Sequence, residues 1–252
     1  MNNEKYKLKV LILGATGRIG PGLIEEYKKK YSKNYELIIG VHSKNNDYGL
    51  EIRKYALNDL NSLKKAFEGM DVIVNMAGNS DPTAEFEDLT EPNINGAYNV
   101  FEAALQTGVK RVIYTSSVHA IKGNPIEYEI RSSDNPKALN FYGATKIFGE
   151  ALCNVFASKG LSCIAIRVGA YVSNDLIKKV CFERSTYEYV ITQRDFAQLL
   201  HKCIVADFDL KYAILAGISN NKKRNMDLKE AKEIVGYEPE DDVFEICEKA
   251  KQ

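Results

Sequence analysis

The sequence predicts an open α/β fold, in which helices cover both faces of a doubly wound parallel β-sheet. Short apolar segments alternate with helical segments, beginning with LKVLIL at 8–13 and ELIIGV at 36–41. Continuous apolar runs of this length are typical of strands that are buried on both faces. Repeated strand–helix–strand units favour a parallel sheet because the connecting helix packs back onto it. A glycine-rich turn directly follows the first of these strands.

The later segments follow the same pattern. The helix at 93–108 is expected to end at Gly108, since glycine is common just after a last helical turn. Asp227 is expected to be the N-cap of the helix at 227–236. The remaining predicted strands are at 52–55, 71–78, 110–117, 161–171 and 211–217, and the remaining helices follow the glycine turn or lie at 60–68, at 192–207 and from Tyr142 to about Lys159.

The composition indicates a protein without a strong global charge. The 252 residues include 34 Lys and Arg and 34 Asp and Glu, so the formal net charge is zero. Such a balance gives no overall field that would attract nucleic acid or an acidic membrane. The sequence has neither the pattern of a signal peptide nor an apolar run long enough to span a bilayer. We therefore expect a cytoplasmic protein without nucleic-acid or membrane partners.

Cysteine and histidine are few and scattered. The five cysteines contain no C-x-x-C pair, and the three histidines are widely spaced. An odd number of cysteines without ligand spacing predicts reduced thiols. A structural metal site is not expected, because such sites place their ligands at short, regular spacings.

The turn after the first strand is GATGRIG, with Gly14, Gly17 and Gly20 three residues apart. Glycines permit a tight turn and let backbone N–H groups approach a pyrophosphate, while the following helix offers its positive end. Such a triplet alone is a weak signal, and an ordinary strand-to-helix turn is the alternative. Its position between an apolar strand and a helix favours dinucleotide binding, with Thr16, Arg18 and Ile19 as further contacts in the loop.

The sequence predicts a division near residue 170, where the alternation of strands and helices weakens. Residues 1–170 are expected to form a Rossmann-type dinucleotide-binding core that carries the catalytic groups. Residues 171–252 are expected to form a small C-terminal lobe that packs on the core and contacts the substrate.

The end of the second strand bears on the identity of the dinucleotide. An acidic residue there would bind the ribose hydroxyls of NAD, but Val41 occupies the place. The hydroxyl and cationic groups that follow suit a 2′-phosphate better, and Arg18 could add charge. NADP is therefore favoured over NAD, with His42, Ser43 and Lys44 as candidate contacts.

Tyr142 and Lys146 are four residues apart, which on a helix places both side chains on one face. A phenol is a poor base near neutral pH, and a neighbouring ammonium group would lower its pKa. Ser117, at the end of a strand, could hold the substrate oxygen during proton transfer. The three residues are thus a candidate catalytic set, whereas Tyr-x-x-x-Lys alone would more often be a helix surface pair.

Together these motifs resemble the extended short-chain dehydrogenase/reductases, the NAD-dependent epimerase/dehydratase family, over residues 8–171. The likeness is closest to uronate dehydrogenases, since TSSVH, YGATKIFGE and LAGISN with IVGYEP follow their order of motifs. The resemblance implies cofactor contacts from Ala77 and Gly78 of NMAG and from Asn95. Asn95 corresponds to the helix asparagine that steadies the active-site architecture in this family. It also implies that Tyr142 and Lys146 contact the cofactor.

The sequence departs from uronate dehydrogenases at several of the positions that recognise cofactor and substrate. Val41 and Ala56 replace two acidic residues on the cofactor side, and Val118 and Ala170 replace an asparagine and a serine on the substrate side. The hydride-transfer residues are retained, so a sugar or sugar acid is expected rather than a uronic acid in particular. The candidate substrate contacts are Ser80, Ser117, His119 and Arg184.

The resemblance implies an NAD(P)-dependent oxidoreductase that transfers a hydride between the nicotinamide and a sugar or sugar-acid hydroxyl. A nucleotide-sugar epimerase or dehydratase is one alternative, although roughly 80 residues after position 170 leave little room for a nucleotide-binding lobe. A regulator that senses NADP without catalysis is another, although such sensors generally lack the tyrosine–lysine pair. The resemblance also implies a homodimer formed through the Tyr142 helix and its neighbour.

Overall fold

The computed structural model describes residues 6–42, 46–125, 129–183 and 187–252. Within these ranges, seven parallel strands form one sheet and two short strands pair separately. The strands are β1 (Leu8–Leu13), β2 (Tyr35–Val41), β3 (Ile52–Lys54), β4 (Val72–Asn75), β5 (Arg111–Ser117), β6 (Ser162–Val168), β7 (Ala170–Val172), β8 (Val190–Thr192) and β9 (Tyr212–Gly217).

The main sheet has the strand order β3-β2-β1-β4-β5-β6-β9. The chain proceeds outward from β1 to β3, and then returns to place β4 on the other side of β1. Ligands of doubly wound sheets bind at such a reversal, beyond the carboxyl ends of the strands. The predicted Rossmann-type fold is confirmed, and the order places this crevice between β1 and β4.

Several of the helices that cover the sheet begin at a residue whose side chain caps the first turn. Side chains of Asp59, Asn140, Thr192 and Asp242 accept hydrogen bonds from backbone N–H groups in the first turns of their helices. The helices are α1 (Gly20–Glu26), α2 (Leu60–Phe67), α3 (Phe86–Leu89), α4 (Gly96–Gln106), α5 (Phe141–Ser158), α6 (Ile177–Glu183), α7 (Gln193–Val205), α8 (Lys229–Val235) and α9 (Val243–Ala250). None of these described helices has the length and apolar character of a membrane span.

The core consists of two apolar layers, one on each face of the sheet. Val10 and Ile12 of β1 belong to the layer that contains α1 and α7. Leu11 and Leu13 belong to the layer that contains α2, α4 and α5. Successive side chains of a strand point to opposite faces, so an unbroken apolar run is needed to fill both layers.

Three predicted elements differ in detail from the observed ones. The predicted strand at 161–171 leaves the main sheet at Gly169, because Ala170 N–H donates to the carbonyl of Tyr189. The predicted helix at 93–108 is a π-helical turn, Thr90–Asn95, that continues into α4. Leu228 is the N-cap of α8, although the Asp227 side chain accepts a hydrogen bond from the backbone of Lys229.

The expectation that all cysteines are reduced is wrong for two of them. Cys181 in α6 and Cys247 in α9 form a disulfide, although 66 positions separate them in the sequence. Cys153, Cys163 and Cys203 are buried free thiols. No sequence pattern predicts this pair, because the packing of α6 against α9 is what brings the two side chains together.

The predicted division of the chain at residue 170 stays a prediction. Within 171–252, β9 forms an edge of the main sheet, and α7 contributes Phe196 and Leu200 to one apolar layer of the core. Glu188 and Tyr189 instead line the cavity described below.

Candidate active site

A cavity of about 980 Å³ lies at the carboxyl ends of the central strands. Gly14, Met76, Ser117 and Val168, at the ends of β1, β4, β5 and β6, all line it. The cavity is therefore at the crevice that the strand order indicates. The predicted site residues that line it are Gly14, Thr16, Gly17, Arg18, Ile19, His42, Ala77, Gly78, Ser80, Ser117, His119, Tyr142 and Lys146.

Some predicted contacts are not among these residues. Gly20 and Asn95 do not line the cavity. Ser43, Lys44 and Arg184 lie outside the described residues, so their proposed contacts with cofactor or substrate stay predictions.

The glycine loop brings bare backbone to the cavity wall. Gly14 has φ +77°, and a Cβ there would lie 2.8 Å from the backbone of Met76. The N–H of Gly17 donates to the carbonyl of Gly14 at 3.0 Å, which closes the turn. A Cβ at Gly20 would lie 1.9 Å from the carbonyl oxygen of Ala15, so this glycine serves the close packing of the loop against α1. The loop can accept a pyrophosphate because no side chain separates ligand from backbone.

Asn93, rather than Asn95, is the asparagine that connects the loop after β4 with α5. The Asn93 Oδ1 accepts a hydrogen bond from the Asn79 N–H at 2.8 Å, and Nδ2 donates to the Asn79 carbonyl and to Thr145 Oγ1 at 2.9 and 3.2 Å. Asn95 is exposed, and its side chain donates a hydrogen bond to Glu91. The sequence could not separate the two, because both fall within one predicted helix two residues apart. The π-helical turn decides which of them faces α5.

Tyr142, Lys146 and Ser117 meet at the cavity, as their spacing predicts. Tyr142 is in the first turn of α5, and the Nζ of Lys146, one turn later, lies 5.5 Å from the centroid of its ring. That ammonium group donates to the carbonyl of Thr115 at 3.0 Å. Each of the three side chains is more than nine-tenths buried. Helix α5 thus holds a phenol and an ammonium group beside the carboxyl end of β5.

Burial raises the pKa of Tyr142 above its ordinary value, and a hydrogen bond with the Ser117 hydroxyl opposes this rise. Burial also lowers the pKa of Lys146 to about 8. The prediction that the ammonium group lowers the pKa of this phenol is not borne out, because desolvation raises the pKa.

Ser117 and the preceding Ser116 have different partners, as strand alternation predicts. The Ser116 hydroxyl donates to Glu150 at 2.6 Å, and Glu150 pairs with Arg167 through two hydrogen bonds of 2.9 Å. Ser117 instead interacts with Tyr142. The side chain of Ser116 therefore belongs to a buried ion-pair network, whereas that of Ser117 belongs to the site.

His119 lies beside the ring of Tyr142, with 5.5 Å between the ring centroids. Asn140 uses its Oδ1 to accept from the Gly143 N–H, so its Nδ2 donates to His119 Nδ1 at 3.0 Å. Burial, together with the nearby Lys122 charge, lowers the pKa of His119 to about 4, so the ring is neutral near pH 7. Its Nε2 lies 3.2 Å from Lys122 Nζ, a group that can only donate, so a donor faces each ring nitrogen and these contacts assign the ring hydrogen to neither of them.

Comparisons with known proteins agree with this geometry. The family model described as "NAD dependent epimerase/dehydratase family" matches residues 10–194. The chain is 28% identical to L-arabinose 1-dehydrogenase (NAD(P)(+)) of Haloferax volcanii, covering 95% of this chain and 99% of that protein. It is 26% identical to uronate dehydrogenase of Pseudomonas putida, covering 92% of this chain and 84% of that protein.

Solved structures share the fold over nearly the whole chain. A mutant of uronate dehydrogenase from Agrobacterium tumefaciens, complexed with NAD, superposes with a TM-score of 0.83 at 23% identity. The alignment covers 98% of this chain and 89% of that one. The family model spans most of the sequence and includes both the glycine loop and the Tyr142 helix. The chain therefore belongs to the NAD-dependent epimerase/dehydratase family.

Proposed function

We propose that the protein is an NAD(P)-dependent oxidoreductase that transfers a hydride between a nicotinamide cofactor and a sugar or sugar-acid hydroxyl. The observation that carries this proposal is the meeting of Tyr142, Lys146 and Ser117 in one cavity with the glycine loop. Relatives of nearly the same length include L-arabinose 1-dehydrogenase and uronate dehydrogenase, which supports a sugar-directed activity.

Residues on both sides of the β1–β4 crevice would hold the cofactor. Backbone N–H groups of the glycine loop would bind the pyrophosphate, and Ala77 and Gly78 would border the dinucleotide on the other side. A bound nicotinamide would supply the hydride acceptor and the reversible redox chemistry. NADP is favoured over NAD because Val41 replaces an acid at the end of β2, while Arg18 and His42 line the cavity nearby.

Tyr142 is the proposed general base for alcohol oxidation. Its phenolate oxygen takes the proton of the substrate hydroxyl, and the hydrogen on the carbon that bears this hydroxyl would leave as a hydride to a bound nicotinamide. The substrate thus loses one proton and one hydride, and the hydride carries both electrons. The burial of the phenol opposes its ionisation. Lys146 compensates because its ammonium group is fixed one helical turn away by the Thr115 carbonyl. Ser117 donates to the substrate oxygen and sets its direction.

The proposed substrate contacts are Ser80 and His119, which line the cavity. Arg184 is a further candidate from the sequence and lies outside the described residues. A neutral imidazole has one N–H donor and one acceptor nitrogen, which suits the hydroxyl groups of a sugar. The missing asparagine and serine of uronate dehydrogenases, at Val118 and Ala170, favour a sugar other than a uronic acid.

The purified enzyme tests the proposal directly. NAD or NADP is supplied with aldoses, uronic acids or sugar phosphates, and the absorbance of the reduced cofactor is followed. We expect reduction with at least one sugar class and its loss in Y142F, while cofactor binding to Y142F is nearly unchanged. Tyr98→Phe, on the exposed face of α4, is the matched control and should keep full activity. Undiminished turnover by Y142F would refute the assignment.

An epimerase or dehydratase is the second candidate, since the family model includes both. Those enzymes regenerate their cofactor during each turnover. Cofactor that copurifies with the protein, together with conversion of a nucleotide sugar without net cofactor reduction, would favour this candidate over the dehydrogenase.

A homodimer through α4 and α5 is also proposed. Tyr98 of α4 and Val155 of α5 are 46% and 48% exposed, which leaves apolar surface on this pair of helices. Light scattering measures the mass in solution. A dimer that Val155→Glu converts to a monomer would support the interface, whereas a wild-type monomer would exclude it.

A further inference from the structure

We infer that Tyr55 donates a hydrogen bond to the 2′ position of the adenosine ribose and thereby permits a 2′-phosphate there. This inference rests on the proposed binding of a nicotinamide dinucleotide. It assigns a specificity role to a residue whose type and position gave no signal in the sequence.

The ring of Tyr55 is fixed between the glycine loop and β2. Its backbone N–H donates to the carbonyl of Val41, the last residue of β2, at 3.2 Å. The ring packs over Gly40, where a Cβ would lie 3.0 Å from Cε1. Only 6% of Tyr55 is exposed, and the residue lines the cavity. Glycine at position 40 therefore makes room for a tyrosine that reaches the loop.

The hydroxyl of Tyr55 accepts a hydrogen bond from the Gly14 N–H at 3.0 Å. Burial raises the pKa of this phenol to about 12, so the hydroxyl keeps its hydrogen near pH 7. Within the described residues, no protein group accepts that hydrogen, and it is left for a ligand at the cavity wall.

This donor contacts Gly14 after β1, while the Tyr55 backbone bonds Val41 at the end of the adjacent β2. Dinucleotide-binding proteins place an acid for the ribose at that end of β2. A carboxylate there accepts from the ribose hydroxyls and repels a phosphate. Val41 is only 1% exposed and cannot provide a polar contact. A phenol that donates can bind either a ribose hydroxyl oxygen or a phosphate oxygen. Its hydrogen bond to the phosphate is stronger because the acceptor is charged.

The test compares ADP-ribose with 2′-phospho-ADP-ribose, because both lack the nicotinamide and their binding does not depend on catalysis. Isothermal titration calorimetry gives Kd for both ligands with the wild type, with Y55F and with the control Y98F. We expect Y55F to weaken 2′-phospho-ADP-ribose about tenfold more than it weakens ADP-ribose. Y98F should change neither Kd.

The other outcomes would overturn the inference in distinguishable ways. Equal weakening of both ligands by Y55F would show that the hydroxyl only supports the Gly14 loop. Unchanged binding of both would show that Tyr55 has no role in recognition. A wild-type protein that binds neither ligand would instead overturn the proposed function itself. A thermal unfolding curve of Y55F, superimposable on that of the wild type, establishes that the variant is folded.

Discussion

The ammonium group of Lys146 lies 5.5 Å from the centroid of the Tyr142 ring while it donates to the carbonyl of Thr115. One contact places the charge where a phenolate would form, and the other fixes its position. Because Lys146 is buried, the same arrangement costs stability when the lysine is charged. The site thus keeps a charge whose burial disfavours folding but whose position suits the proposed role of Tyr142 as a base.

Lys146 should make stability depend on pH in a definite direction. Its pKa is lowered from 10.5 to about 8 by burial, so between these values the unfolded chain holds a proton that the folded protein lacks. Stability therefore rises with pH over this window, and the penalty is fully present below pH 8. Relative to K146M, the free energy of unfolding of the wild type should rise by about 2 kcal/mol from pH 7 to pH 10.

Urea denaturation at a series of pH values measures this difference. Subtraction of the K146M values removes the contributions of the other titrating groups. A difference that is constant or that falls with pH would mean that Lys146 retains its ordinary pKa in the folded protein.

Asn93→Ala should damage both stability and activity, whereas Asn95→Ala should damage neither. The first change removes two hydrogen bonds to the half-buried backbone of Asn79 and one to the Thr145 hydroxyl, which keeps its bond to the Tyr142 carbonyl, at a cost of about 2–3 kcal/mol. It also releases the loop after β4 from α5, so we expect kcat/KM to fall at least tenfold. Asn95 bonds Glu91 on the surface and should contribute less than 0.5 kcal/mol, roughly the limit for exposed positions.

Denaturant unfolding and steady-state kinetics on the two variants make the comparison. Equal effects of the two substitutions would mean that Asn93 is no more important to the site than Asn95. Loss of stability in N93A without any change in kinetics would confine the residue to a structural role.

Gly14→Ala should weaken dinucleotide binding at least tenfold, with Gly108→Ala as its control. Both glycines have positive φ, +77° and +74°, so both substitutions carry a similar backbone strain of about 1 kcal/mol. A Cβ at Gly14 would also meet the Met76 backbone at 2.8 Å, whereas nothing lies within 4 Å of one at Gly108.

Calorimetry with NAD and NADP should show binding to G108A and at least tenfold weaker binding to G14A. Similar affinities in the two variants would place the cofactor elsewhere in the protein. The melting temperatures of G14A and G108A indicate whether the two substitutions introduce comparable backbone strain.

Removal of the disulfide should destabilise the protein under oxidising conditions. The bond closes a loop across 66 positions, for which the chain-entropy relation gives about 4 kcal/mol. C181S and C247S should therefore lose similar amounts relative to the wild type. After reduction by dithiothreitol, most of this difference should disappear. C153S is a control, since this thiol is free.

Alkylation under denaturing conditions without reductant, followed by mass measurement, counts the thiols. Three modified cysteines are expected from the free Cys153, Cys163 and Cys203. Modification of five would show that the pair is reduced and would remove the basis of this prediction.

Local periodicity in the sequence is sufficient to predict several features of the fold and of the site. Unbroken apolar runs specify strands buried on both faces, and β1 fills both layers of the core as that pattern requires. Four-residue spacing places Tyr142 and Lys146 on one face of α5, and strand alternation separates Ser116 from Ser117. Each of these relations holds within one element, so the order of residues is sufficient to predict it.

Contacts between distant segments arise from the tertiary structure and could not be predicted from the sequence. The π-helical turn before α4 turns Asn93 towards Asn79 and Thr145, and the packing of α6 on α9 joins Cys181 to Cys247. Tyr55 reaches Gly14 because β3 lies beside β2 and Gly40 leaves space for the ring. The direction of the Tyr142 pKa shift depends on burial, which many elements produce jointly. Contacts of this kind depend on the whole arrangement of strands and helices, because residues far apart in sequence meet only after the elements have packed.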